Sequence, residues 1–283
     1  MATTATLTVQ GIVDALDSTD GVLPRNALEQ AIARWDEVAP VLVPRIEAYA
    51  NGRDRSDQAV DLAFYGLYLM AQQRDTRAFR LLCTLLLDAA ASEDALTDGI
   101  TDEVPSMLVR TYDGDPTPLR TLIEAPDANE QGRDTAFEVL AWLTAAGRID
   151  RDETARYLHD LFKTLKPQGP SQAWIGWQSA IAHLGLDELK PLVAKVFSRG
   201  WIDDDLRTFE DFAEDLCNAK VTRDPMASFA DRFYLLRKLD DVIKVMKSWN
   251  TFRLPEEGPT IQSPRLPPLP KTRKWSLLGF LRR

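Results

Sequence analysis

The stretch VDLAFYGLYLMAQQRDTRAFRLLCTLLL, Val60–Leu87, decides the fold. Val60, Ala63, Phe64, Leu67, Met70 and Ala71 recur at i, i+3, i+4, i+7, i+10 and i+11, one face of an α-helix. Leu62, Tyr65, Tyr68 and Leu69 widen that stripe beyond what a lone surface helix can hide, so covering neighbours are required on both flanks. Phe79, Leu82 and Leu86, backed by Leu81 and Leu85, repeat the pattern after the short polar connection Gln73-Arg74-Asp75-Thr76. Two apolar helices folded back on each other are the expected result.

Working outward, the same device recurs. Ala63-Phe-Tyr-Gly-Leu-Tyr-Leu, Thr101-Asp-Glu-Val-Pro-Ser-Met-Leu, Ala136-Phe-Glu-Val-Leu-Ala-Trp-Leu and Ala173-Trp-Ile-Gly-Trp-Gln-Ser-Ala each open a predicted helix, 38, 35 and 37 residues apart. Each is followed by a second helix: Phe79 to Leu87, Leu119 to Glu124, Thr154 to Leu165 and Leu189 to Phe197. Asp150 and Glu153 stand at capping-box spacing, and Gly147, Gly185 and Gly200 fall where a helix ends. A step of this length built from helix pairs predicts an all-α, HEAT-like solenoid, in which each pair buries its oily face against the next. An irregular all-α domain is the alternative. No strand-like alternation bounded by turns occurs.

Before the repeats, Val9, Ile12, Val13 and Leu16 mark a short helix, and Pro24 suits the first position of a second one carrying Ala27, Leu28, Ala31, Ile32 and Trp35. Val38 to Ala50 reads as helix, with Pro40 and Pro44 limiting how early it becomes regular and Asn51-Gly52 as its stop. After the repeats, Leu206 to Leu216 is expected to form a helix behind the acidic run Asp203-Asp-Asp. Asp224-Pro225 is expected to start a longer one through Phe229, Phe233, Leu236, Leu239, Val242, Ile243 and Met246, and either could close the open end. The predicted organisation is a helical-repeat domain at 1–254, a Pro-rich extended linker at 255–270 and a basic and apolar peptide at 271–283.

Composition narrows the classes of work. The chain carries a net charge of −9, but residues 255–283 hold six Lys and Arg against two Glu, which leaves −13 on residues 1–254. A body that acidic repels a phosphate backbone and argues against nucleic acid as a partner. With two cysteines, Cys83 and Cys217, neither a disulfide framework nor a four-cysteine zinc site is available. No stretch offers the apolar length of a membrane span, and the N-terminus lacks the basic and apolar pattern of a leader, so a reducing cytoplasm is the expected home.

Phe64-Tyr-Gly-Leu-Tyr-Leu-Met-Ala-Gln-Gln-Arg-Asp-Thr-Arg-Ala-Phe79, Gly99-Ile-Thr-Asp-Glu103 and Tyr112-Asp-Gly-Asp115 resemble the bacterial family called domain of unknown function 1186, over roughly residues 25–215. The resemblance implies a HEAT-type helical protein and no established activity. Some members of that family end in a cysteine-rich, zinc-binding tail like that of a secretion ATPase. Val221-Thr-Arg-Asp-Pro225 is similar to its opening, but no cysteine follows, so no metal role is carried over and no cofactor is expected.

Candidate chemistry is sparse. His159 and His183, the two histidines, each lie on a predicted helix without a second ligand at metal spacing. Asp98, Asp102, Glu103, Asp113 and Asp115 form the densest acidic group near turns; as an enzyme site they are the alternative to a role as helix caps, and their spacing does not match a calcium loop. Trp142, Trp174, Trp177 and Trp201 are expected in the core, or in a binding groove if exposed. The partner-binding candidates are Lys274, Trp275, Leu277, Leu278, Phe280, Leu281, Arg282 and Arg283, a peptide suited to docking on its own acidic body, on another protein or on an anionic membrane surface. The expectation is a non-enzymatic scaffold or adaptor with an unknown protein partner; the alternatives are a peripheral membrane protein and an enzyme with an acidic site.

Overall fold

A computed structural model describes residues 5–18, 22–97, 99–222, 224–230 and 236–247. These belong to the unit spanning Met1–Arg253; the linker and the C-terminal peptide, with every candidate from Lys274 to Arg283, lie outside the described residues. The described residues are all-α, with no β-strand.

The elements are α1 Val9–Leu16, α2 Arg25–Ala33, α3 Trp35–Ala50, α4 Asp57–Gln73, α5 Arg77–Leu86, α6 Ala89–Leu96 and α7 Gly99–Asp102. They continue with α8 Val104–Thr111, α9 Thr117–Glu124, α10 Glu130–Ala145, α11 Arg151–Thr164, α12 Ala173–His183, α13 Lys190–Ser198, α14 Phe209–Val221 and α15 Val242–Lys247. The helix pair read from Val60–Leu87 is present as α4 and α5. The residues that widen the stripe, Leu62, Tyr65, Tyr68 and Leu69, are all covered along with Ala63, Leu67, Met70 and Ala71 of the stripe itself, whereas Val60 and Phe64 are half-buried. The cover comes from α3, α6 and α8, which all pack on α4.

From α4 onward, α4 packs on α8, α8 on α10, α10 on α12 and α12 on α14. Beside this succession α5 packs on α9, and α9 and α11 both pack on α10. Polar ties between neighbouring pairs recur at one sequence step. Arg80 reaches Asp113 and Asp115, Arg120 reaches Glu153, Tyr157 reaches Glu124 and Thr135 reaches the Ile100 carbonyl, each across 33 or 35 residues, and the same step of 33 closes single pairs through Arg55–Asp88 and Arg133–Lys166. Arg110 donates to the Ala71 carbonyl and Arg148 to the Val109 carbonyl, each across 39.

Glycine punctuation operates as expected: Gly52, Gly147, Gly185 and Gly200 all take positive φ immediately after a helix cap. Four expectations need correction. Pro40 and Pro44 lie inside α3, which is regular from Trp35; both face solvent, where the carbonyls of Asp36 and Pro40 that lose their i+4 donors can be hydrated. Pro24 precedes α2 as its cap residue rather than opening it. The cap of α14 is not Asp203-Asp-Asp but Thr208, in a reciprocal box with Asp211. The long helix expected from Asp224 is interrupted by a turn at residues 239–240 before a separate six-residue α15, a 3-10 turn stands at Ala227–Phe229, and Phe233 lies outside the described residues.

Candidate functional site

Helix C-termini leave carbonyls without intrahelical donors, and here two such ends are each met by an arginine from further along the chain. At the end of α4 the Ala71 and Gln72 carbonyls accept from Arg110 Nε and Nη2, at 2.9 and 3.3 Å. At the end of α8 the Val109 and Tyr112 carbonyls accept from Arg148 at 2.8 and 3.0 Å. The cations sit where the negative ends of the helix dipoles favour them.

Residues 224–230 and 236–247 contact these helices in reverse chain order. Phe229 stacks on Trp142, in the last turn of α10, with centroids 5.6 Å apart, and lies 5.3 Å from the His183 ring at the end of α12. Arg110 Nη1 then donates to the Leu236 carbonyl at 2.9 Å and to the Asp240 carboxylate at 2.7 Å. The Val242 amide donates to Gln72 Oε1 at 3.0 Å, and α15 packs on α2 and α4 with Val242, Ile243, Val245 and Met246 buried. Sequence reasoning joined this segment into one helix because its apolar spacing is continuous. The available signal against it was Asp241, whose carboxylate accepts the Lys244 amide at 2.9 Å and so starts α15 afresh.

Where the segment begins, the ends of α10, α12 and α14 enclose a cleft of about 420 Å³, lined among others by Thr144, Arg151, His183, Lys220, Asp224 and Ser228. Burial, with a smaller contribution from Arg207, lowers the His183 pKa and keeps its imidazole neutral. Lys220 pairs with Asp187 at 2.9 Å. The lining therefore mixes donors with the carbonyl-rich ends of three helices and singles out no charge type. His159 is exposed beside Asp160.

The acidic group named from sequence divides between different partners. Glu103 is the buried cap residue of α8, 8% exposed and hydrogen-bonded to the Tyr68 hydroxyl, and burial raises its pKa, helped by the neighbouring Asp102. Asp102 ends α7 and is exposed. Asp113 and Asp115 are clasped instead by Arg80, and Asp115 accepts the Thr117 amide; the Thr117 hydroxyl and amide, then Arg80, bring the Asp115 pKa down to about 2. Asp98 lies outside the described residues. Among the described residues no group of three or more His, Cys, Asp or Glu is placed to hold a metal ion.

The tryptophans pack. Trp142, Trp174 and Trp177 are buried, Trp177 donates to the Leu158 carbonyl at 2.8 Å, and the half-buried Trp201 lies against Trp174 and the Arg199 guanidinium. Two arginines were missed. Arg133 is 1% exposed, with carbonyls of Ile123 and Lys166 satisfying it, and the Arg110 side chain is 6% exposed. Arginine in sequence reads as surface, and neither carries a local signal for its carbonyl partners.

A family model described as a protein of unknown function, DUF1186, matches residues 7–253. An uncharacterized protein of Chlamydia muridarum (strain MoPn / Nigg) is 27% identical over 243 residues, covering 85% of this chain and 96% of the relative. An uncharacterized protein of Chlamydia trachomatis serovar D is 29% identical over 208 residues, covering 73% of this chain and 83% of the relative. No solved structure matches the chain. Among the described residues no helix is long and apolar enough to cross a membrane.

Proposed function

The chain belongs to the DUF1186 family, and from that premise we propose that it is a non-enzymatic, HEAT-like protein-binding scaffold whose working surface is the succession of helix pairs. The observation that carries this reading is the recurrence of inter-pair ties across 33 to 39 residues, Arg80 to Asp113, Arg120 to Glu153, Thr135 to Ile100 and Arg148 to Val109. A packing rule repeated along the chain stacks unit on unit, and such stacking generates extended contact area from small modules. The buried Glu103, the Arg80-paired Asp113 and Asp115, and the packed tryptophans are accounted for by folding, which leaves the surface as the place for work.

The test is in-cell photo-crosslinking from exposed positions of α9, α11 and α13 in the native bacterium, followed by titration of any crosslinked protein against the purified full chain. Saturable, stoichiometric binding is expected. Crosslinks no denser than those from a scrambled set of surface positions would overturn the reading. The basic and apolar composition of Lys271–Arg283 favours a second reading, a peripheral membrane protein. Flotation of the full chain with anionic vesicles, abolished by removing residues 271–283, is its signature.

A further inference from the structure

We propose that the surface where the Arg199 guanidinium, at the end of α13, lies over Phe162 of α11 and over Trp201 is a docking site for a protein segment presenting a carboxylate flanked by apolar residues. The inference rests on the scaffold reading and names the place and the chemistry of its partner.

The first ground is how the surface is built. The half-buried Phe162 and Trp201 continue a buried aromatic stack: Trp177 lies 6.3 Å from Phe162 and 5.4 Å from Trp174, and Trp174 lies 4.9 Å from Trp201. The Trp201 backbone is held on both sides, its amide by the Val196 carbonyl and its carbonyl by the Ser171 amide, each at 3.2 Å. Gly200, at a φ of 66°, turns the chain between Arg199 and Trp201. The guanidinium comes to lie 4.8 Å from the indole and 5.3 Å from the Phe162 ring. Stacked on fixed rings, a guanidinium keeps its N–H edge free and oriented.

The second ground is that the donors here are unused. Three other arginines lie over aromatic rings, and each has acceptors: Arg55 has Asp88 and the Tyr49 carbonyl, Arg120 has Glu153, and Arg148 has the Val109 and Tyr112 carbonyls. The exposed Arg199 side chain has none among the described residues. Trp201 repeats the contrast. The indole N–H groups of Trp174 and Trp177 donate to the Pro167 and Leu158 carbonyls, whereas that of Trp201 meets no acceptor among the described residues. A planar fork beside an indole N–H suits a carboxylate, and Arg and Trp are the residue types that carry most binding energy at protein interfaces.

The third ground is the charge around it. Residues 151–199 hold seven Lys and Arg against five Asp and Glu, within a body that is otherwise strongly acidic. Lys163, next in sequence to Phe162, and Lys195, one turn before Arg199, are exposed and carry no ion pair among the described residues. Just past Trp201 the exposed Asp203, Asp204 and Asp205 follow. A single carboxylate is drawn to such a basic island, while an extended polyanion meets its acidic border as well.

The experiment selects from a phage-displayed library of random dodecapeptides on the full chain, with the Arg199→Met chain as the counter-selection. Enriched sequences are expected to share an Asp or Glu next to an apolar side chain. A fluorescent copy of the most enriched peptide is then titrated by anisotropy, and micromolar binding is expected. Arg199→Met keeps an apolar stem on the rings and removes the donors; it should weaken binding about tenfold or more. Trp201→Phe, which keeps a ring without the N–H, should weaken it about threefold. Changing the peptide's carboxylate to the amide should cost about as much as Arg199→Met, and nothing further in the Arg199→Met chain. Because Arg199 is exposed, Arg199→Met should melt within a degree or two of the unaltered chain. Should it melt lower, Arg199→Lys takes its place, with about fivefold weaker binding expected from loss of the planar fork. The proposal is overturned by the absence of Arg199-dependent peptides or by losses that simply add. Arg199-dependent binding of single-stranded DNA or of phosphatidylserine vesicles tighter than that of the peptide overturns it too. Any of these failures leaves the scaffold reading to its own crosslinking test.

Discussion

The helices from α4 to α12 and the described residues of the segment, 224–230 and 236–247, both bury apolar side chains, yet they are tied down by different means. In the first region a set of inter-pair ties closing 33 to 39 residues is repeated from pair to pair. In the second the hydrogen bonds to Arg110 and Gln72 close 126, 130 and 170 residues. Short, repeated closures cost little chain entropy apiece and support one another, whereas a segment hung from two distant anchors can open as a unit. Equal burial therefore need not mean equal stability.

The largest effect is expected from Trp177→Ala. Trp177 is fully buried between α11 and α12, edge-on to Trp174 at 5.4 Å, with its indole N–H held by Leu158. Its loss leaves a large void and removes the indole hydrogen bond, and a destabilisation of about 3–5 kcal/mol in urea unfolding is expected. Phe229→Ala removes an aromatic as well buried by area but located in the segment. Here the global midpoint should move by less than about 1.5 kcal/mol, because the loss is drawn from a local opening. Exchange protection at 236–247 should fall while that of α10 persists. If the two substitutions shift the midpoint alike, the regions form one cooperative block and the comparison fails.

Much of the first region was legible because its determinants are local. Apolar spacing located α4, α5, α10, α11 and α12, and the glycines at 147, 185 and 200 marked their neighbours' ends because only a residue without Cβ enters that conformation cheaply. The helices α6 and α7 were not legible. The first is alanine-rich, with little amphipathic contrast, capped by Asp88 and stopped by Thr97 in a positive-φ conformation that no glycine announces. The tethering of residues 236–247 was illegible for a different reason: its two anchors lie more than a hundred residues from what they hold, and pairing at that distance leaves no periodic trace. The acidic residues were correctly grouped along the chain but not in space, because Asp113 and Asp115 answer to Arg80 while Glu103 answers to Tyr68.

Glu103 links the two regions electrostatically, and the smallest expected effect reads that link. Burial and Asp102 raise its pKa, while the counter-charge that lowers it comes from Lys238 of the segment. Because the folded chain holds the Glu103 proton more tightly than the unfolded chain does, folding is favoured most below the ordinary glutamate range, about pH 4.3. That advantage is lost as pH rises through the raised folded value. Glu103→Gln keeps the shape and a hydrogen bond to Tyr68 but cannot ionise, so at pH 7 it should melt on the order of a degree or two higher than the unaltered chain. Near pH 4 the two should converge. In a Lys238→Met chain the counter-charge is gone, so the gain from Glu103→Gln at pH 7 should grow. A gain identical with and without Lys238 would mean that the segment does not govern the charge at Glu103, and that the regions differ in tethering alone.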